Sequence, residues 1–342
     1  VVIPNVINVE DAIFALTLMF PTPYLGSGRR KDQTFITCND EGAVYLEAKV
    51  NHTMVEFLNP PKLEFLNKLL PCEPNKMHQN GEDLPQVLVQ VNMFNCGGIA
   101  IGTCHLHTLL DGCSGSLFQT TWAAICRGCS SDELPHPDFF TASSCFPTIN
   151  HVSKNTNESF DGQKKCSTRR FVFGSESIDT LRDKAKDDDD NDNDDGRSKF
   201  PTRYEALAAF IWKHMTLACK MEGGVDSKRP TLAIHIVDMR RRMGSNECVD
   251  LPQGIETISP IPVVLTSWCG LNFSELDFGW GKPFWVGVRG GDQETLPNVA
   301  VIMETNEGME AWVTMEMQHI ANLENDMEFL KLALSNPSVS NV

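Results

Sequence analysis

The residues of this 342-residue chain best suited to chemistry are His107-Thr108-Leu109-Leu110-Asp111-Gly112, an H-x-x-x-D-G grouping. An imidazole has an ordinary pKa of about 6.5, so near neutral pH it can take the proton of an attacking hydroxyl and later return it. An aspartate four residues on could orient that ring in the manner of a triad, or it could serve a different partner. A second grouping lies far downstream, the loop Asp277-Phe278-Gly279-Trp280-Gly281, and its leading carboxylate also invites a catalytic reading.

The elements that must position these residues follow from hydrophobic period. Val87, Val89, Val91 and Met93 alternate with Leu88, Gln90 and Asn92, which predicts a strand. Cys96-Gly97-Gly98 then turns the chain into a second strand over 99–106. His107 therefore falls at a strand end, where the chain leaves the sheet. After Gly112 the period changes: Leu117, Phe118, Thr121, Trp122 and Ile125 have helical spacing, and Gly128 ends the run.

Elsewhere the spacing predicts a helix over 8–20, stopped by Pro21 and Pro23, and two strands over 35–50 paired as a hairpin about Asn39-Asp40-Glu41-Gly42. A strand at Arg170–Phe173 leads to a short helix from Ile178 to Ala185, and a longer apolar helix starts at Pro201-Thr202 and runs through Trp212. Thr231–Asp238 reads as a strand entering Met239-Arg240-Arg241-Arg242-Met243. Val299–Met303 and Met309–Val313 form a hairpin, and one amphipathic helix carries Ile320, Leu323, Met327, Leu330 and Leu334. Strands and helices alternate in both halves, so the fold class is α/β or α+β. The expected domains are 1–186 and 201–342, joined by an acidic linker over 187–200.

That linker holds seven aspartates between Asp187 and Asp195. A calcium loop is the sharper reading, with Asn191, Asn193, Asp195 and Gly196 at the first ligand positions and the turn. It fails at the last ligand position, where Thr202 stands instead of glutamate after Pro201. A solvated connection is expected instead.

The formal net charge of −16 argues against nucleic-acid or anionic-membrane partners. The 12 cysteines follow no framework spacing, which points to free thiols in a reducing compartment. Cys126 and Cys129 make a C-x-x-C with no second pair to complete a metal site. With no apolar run long enough to span a bilayer, the expectation is a cytoplasmic protein with no membrane association.

In this order and at this separation, the two groupings resemble those of the plant BAHD acyltransferases, which move an acyl group from coenzyme A to an alcohol or amine. The likeness is greatest to the alkaloid-acetylating members. Cys96-Gly97-Gly98, Trp122, Thr266-Ser-Trp-Cys269 and Gly281-Lys-Pro283 extend it along most of the chain. The resemblance implies a two-domain, chloramphenicol-acetyltransferase-like architecture of mixed sheets flanked by helices, with the active site at the domain interface. It also implies a monomer, acyl-CoA (acetyl-CoA foremost) as co-substrate, a small-molecule acceptor alcohol, and no resident cofactor or metal. By the same resemblance His107 is the general base. Asp111 turns away to pair with Arg240, ahead of Arg242, and so holds the loop that carries His107. Gly112 lets the backbone turn tightly into the helix, while Asp277, Gly279, Trp280 and Gly281 serve structure, Trp280 mainly by packing. His105 reads as a substitution of a family polar residue.

This chain departs from the family pattern in identifiable places. The opening strand and an early S-x-x-D-type segment have no counterpart, and Y-P-x-A-G-R survives only as Pro23-Tyr-Leu-Gly-Ser-Gly-Arg29. A strand and a long helix normally separate the arginine segment from Val263, and Asp238 replaces an asparagine. The chain is expected to be shortened at its N-terminus and internally. Three readings follow: O-acetyl transfer to a hydroxyl of a specialised metabolite, a non-catalytic remnant of the same fold, and N-acylation of an amine.

Overall fold

The computed structural model describes residues 2–3, 28–31, 35–38, 43–73, 84–85, 87–107, 110–134, 164–185, 200–221, 229–238, 240 and 260–339. The predicted helix over 8–20, most of the acidic segment, and Arg242 with the stretch that follows it lie outside these residues.

The chain divides into two compact units, 1–137 with 271–291 and 337–342, and 138–270 with 292–336. In the first unit a four-stranded mixed sheet runs in the order β1 (Val2–Ile3), β7 (Ile99–His105), β6 (Val87–Phe94), β4 (Val44–Val50). β6 pairs antiparallel with β7 and parallel with β4. A separate three-stranded sheet orders β3 (Phe35–Cys38), β2 (Gly28–Lys31), β5 (Leu84–Pro85).

The hairpin predicted over 35–50 is therefore not formed. Its two halves are β3 and β4, and they join different sheets, because β4 takes its hydrogen bonds from β6 and β3 from β2.

β6 and β7 are covered on both faces. Val87, Val89, Val91, Ile99 and Ile101 pack under α3 (Gly112–Cys126), against Phe118, Trp122 and Ala123. Gln90 and Asn92, which alternate with those residues along β6, are buried as well. The helices α1 (Met54–Leu58) and α2 (Leu63–Leu66) precede a 3-10 turn at Asn67–Leu69 on that side. Gln90 donates to the carbonyl of Lys68 at 2.9 Å, and Asn92 to that of Leu69 at 2.9 Å. The buried amides thus complete the turn's hydrogen bonding, as buried polar groups must.

The second unit is built on a seven-stranded sheet. Its path is β11 (Gly291–Thr295), β8 (Lys164–Gly174), β13 (Gly308–Glu316), β12 (Val299–Thr305), β10 (Ile261–Ser267), β9 (Thr231–Ile236), and β14 (Leu334–Ser335) also pairs with β8. Helices α4 (Ser175–Lys184), α5 (Arg203–Lys220), α6 (Met317–Glu324) and α7 (Met327–Leu330) complete it. The core face joins Phe171, Phe173, Met309, Ala311 and Val313 of the sheet to Leu207, Ile211 and Met215 of α5, with Ile320 and Leu323 of α6.

Three expectations are corrected here. The domain boundary does not follow chain order: β8 lies inside the second sheet, so the 164–185 segment belongs with the later residues, and 271–291 belongs with the first unit. The single C-terminal helix is two, since Asp326 adopts an extended conformation and caps α7 through the amides of Glu328 and Phe329. Leu334, expected on that helix, sits in β14. Thr202, the failed calcium-ligand position, is the N-cap of α5 and makes a capping box with Glu205.

Candidate active site

β7 ends at His105, one residue short of the strand end expected at 106. Two leucines fix the departing chain. Leu106 is fully buried with Cys104, Leu70 and Leu88, while Leu110 is buried on the α3 side of the sheet, and the Leu110 amide donates to the Leu106 carbonyl at 3.2 Å. Between these anchors His107 is exposed to solvent. Exposure beside a rigid anchor is what a proton-transferring imidazole needs, since it must reach substrate from a defined position.

Asp111 is the N-cap of α3. Its backbone is extended (φ −79°, ψ −178°) and its Oδ1 accepts from the Ser114 amide at 2.8 Å. A carboxylate there satisfies an otherwise unpaired amide and complements the positive end of the helix dipole. An aspartate directly before a helical run was a legible sign of this capping role. Gly112 is the first residue of the helix and its backbone is not left-handed. A β carbon at 112 would stand 3.1 Å from Leu271 Cδ1, and close packing is the requirement there.

The loop at 277–281 packs on the same helix. Asp277 closes it: Oδ1 accepts from the amides of Gly279 (2.8 Å) and Gly281 (3.0 Å). Both glycines have φ near +100° (99° and 102°), a conformation that side chains disfavour. Phe278 is buried and meets Trp122 of α3 edge to face, with ring centroids 4.8 Å apart, and Trp280 stacks on Phe278 at 5.4 Å. Arg127 at the end of α3 donates to the Asp277 carbonyl, and Ser116 near its start donates to the Leu271 carbonyl. The helix that follows the histidine motif therefore holds the incoming loop at two points. Sequence reasoning missed Ser116 and Arg127, and nothing in their spacing could have revealed partners so far along the chain.

Arg240 lies in the second unit, where its Nη1 and amide both bond Asp238 Oδ1, at 2.9 and 3.1 Å. Among the described residues no cluster of three or more His, Cys, Asp or Glu side chains could hold a metal ion. Their cysteines are free thiols, with Cys104, Cys166 and Cys219 buried. None of the described helices is long and apolar enough to cross a membrane.

The chain is thus a mixed α/β protein of two sheet-and-helix units, with a solvent-facing histidine ahead of a capped helix and a D-F-G-W-G loop held to that helix. The model of the Transferase family matches residues 25–254 and 251–330, and the chain belongs to that family, the BAHD acyltransferases. Among curated relatives it is 28% identical to akuammiline synthase 2 of Alstonia scholaris, over 95% of this chain and 83% of that one. It is 27% identical to a limonoid 21-O-acetyltransferase of Melia azedarach, over 95% and 84%. Vinorine synthase of Rauvolfia serpentina is 28% identical over 91% and 81%. The crystal structure of vinorine synthase superposes with a TM-score of 0.76 over 99% of this chain and 90% of that one, at 24% identity. A second solved structure of the same fold, TRI101 of F. sporotrichioides complexed with coenzyme A and T-2, gives 0.70 over 98% and 94%, at 18% identity.

Proposed function

We propose that this acyltransferase uses acyl-CoA to acylate a hydroxyl of a small specialised metabolite, with acetyl-CoA as the donor and His107 as the general base. The observation that carries the proposal is the mounting of His107: an exposed imidazole on a turn anchored by Leu106 and Leu110, directly before a capped helix. The relatives named as O-acetyltransferases support the acetyl donor and the hydroxyl acceptor.

The chemistry needs no covalent intermediate, because a thioester is already activated. In a ternary complex His107 removes the acceptor's proton as its oxygen attacks the thioester carbonyl. The tetrahedral oxyanion collapses, the carbon–sulfur bond breaks, and the imidazolium returns the proton to the departing thiolate. Asp111 and Arg240 are assigned to each other as an ion pair that holds the His107 loop, and the 277–281 loop supports the helix behind it. The protein is taken to act as a cytoplasmic monomer. A thermal melt with and without acetyl-CoA, followed by acceptor screening, tests the proposal. A raised transition shows that acetyl-CoA binds the folded chain, and an unmoved one removes it as the donor.

A further inference from the structure

On the sheet face away from α3, the chain crosses directly over β7. A β carbon at Gly102 would run into the Leu69 carbonyl, so backbone lies on backbone at that point. Gln90 and Asn92 hold the crossing through the carbonyls of Lys68 and Leu69. Cys72 follows Leu69 by three residues, and Cys104 follows Gly102 by two on the same face of the strand. The crossing therefore brings two thiols together. Cys104 Sγ donates to the Cys72 carbonyl at 4.0 Å, and the two side chains hydrogen-bond to each other. Cys72 packs with Leu70 and Leu88 on the buried pair Cys104 and Leu106.

Other thiols find partners that are not sulfur. Cys166 and Cys219 donate to the Thr295 carbonyl (3.5 Å) and the Asn298 side chain (3.6 Å), and Cys96 accepts from the Met54 amide at 3.2 Å. Such groups fill space and satisfy a neighbour. A thiol in contact with a second thiol can also be oxidised, and disulfides formed in reducing compartments are characteristically transient and redox-sensing. We propose that Cys72 and Cys104 are a reversible oxidation site, whose disulfide fixes the crossing to β7 and slows acyl transfer by shifting the seat of Leu106. The cross-link is independent of the mechanism above; its effect on turnover rests on His107 being the base.

The two sulfurs have different parts. Cys72 is half-buried, within reach of a small disulfide such as oxidised glutathione, whereas Cys104 is buried. The hydrogen bond from Cys104 holds the Cys72 thiol below the ordinary cysteine range, while the same contact and then burial push Cys104 above it. Cys72 is thus the entering nucleophile. Its thiolate attacks oxidised glutathione, forming a mixed disulfide and expelling one glutathione thiolate. Cys104 loses its proton to that thiolate and attacks Cys72 Sγ, and the second glutathione leaves with the proton Cys72 had released. Two protein thiols are oxidised and one glutathione disulfide is reduced to two thiols. The bonded sulfurs stand about 2.05 Å apart, and close-packed neighbours must move with them. Leu106, fully buried in the same cluster, is the anchor directly before His107.

The test treats the full chain with oxidised glutathione, alkylates the remaining thiols and maps linked peptides by mass spectrometry. A Cys72–Cys104 peptide is expected. After desalting, coenzyme A release from acetyl-CoA with an acceptor found by screening should be lowered about tenfold or more, and dithiothreitol should restore it. Cys72→Ser should turn over within about twofold of the reduced wild type and be insensitive to oxidised glutathione. Cys104→Ser should stop at the first step and keep glutathione on Cys72, a readout that needs no turnover. Thermal melts confirm that both variants fold. Cys72 and Cys104 both alkylated, or glutathione held on wild-type Cys72 with no linked peptide, would overturn the site. A linked peptide in a fully active enzyme, or equal sensitivity in Cys72→Ser, would overturn the control of turnover. His107→Ala separates the two levels: if it keeps turnover the reading of the base fails, while the cross-link is judged by its peptide.

Discussion

Phe278 stands edge to face against Trp122, ring centroids 4.8 Å apart at 81°, and this contact ties the D-F-G-W-G loop to the helix that begins at the histidine motif. Two sequence signatures far apart in the chain are thus two sides of one apolar cluster. Replacing Phe278 by Ala leaves a cavity next to Trp122, and such deletions cost about 3–5 kcal/mol. Denaturant unfolding of Phe278→Ala should show a loss of that size, with Phe278→Leu losing clearly less.

Asp277 is the hub of its loop, since its Oδ1 accepts from the amides of Gly279 and Gly281, and we propose that its role is structural. Asparagine retains an acceptor oxygen. Asp277→Asn should keep turnover within a few-fold, while Asp277→Ala should lose about 1–3 kcal/mol of stability. Steady-state kinetics of the two variants distinguish loop closure from acid–base chemistry, which both would abolish equally.

Capping and ion pairing at Asp111 can be separated in the same way. Asparagine caps a helix about as well as aspartate, and alanine costs about 1 kcal/mol. Asp111→Asn should therefore melt like the wild type. If the Asp111–Arg240 pair holds the His107 loop, Asp111→Asn should nevertheless lose activity, and Arg240→Gln should lose it to a similar degree. A fully active Asp111→Asn would leave Asp111 as a cap alone.

Acid sensitivity should centre on a buried clasp in the second unit. His214 of α5 is almost fully buried and its Nδ1 lies 2.6 Å from Asp326 Oδ2, while Asp326 also caps α7. Burial raises the Asp326 carboxyl, but the His214 hydrogen bond and the amides of Phe329 and Glu328 outweigh it and hold the group below the usual carboxylate range. A folded-state pKa below the unfolded one stabilises above about pH 4 and is lost as pH falls through the folded value. Melts between pH 7 and 3 should show the wild type losing stability toward the acid end, with Asp326→Asn less stable at pH 7 and flatter across the range.

Local period was a good guide where a segment's neighbours merely completed what it already preferred. α3 and α5 carry their caps and apolar stripes within themselves, and β6–β7 and β12–β13 turn back on their own glycines. It failed where distant partners decided. β3 and β4 look like a hairpin in sequence, yet β2 and β6 claim them, and one apolar spacing from Ile320 to Leu334 spans two helices and a strand. The site divides the same way. His107, Asp111 and the 277–281 loop could be picked out by residue type and order, whereas the holds from Ser116 and Arg127 depend on contacts that spacing does not encode.

The central assignment, His107 as the base of acyl transfer, is tested most directly by coenzyme A release from acetyl-CoA in the presence of an acceptor, wild type against His107→Ala. Removing a general base typically costs a factor of about 10²–10⁴ in turnover. Loss of that size with an unchanged melting temperature is the predicted result. A His107→Ala protein that turns over like the wild type would contradict it.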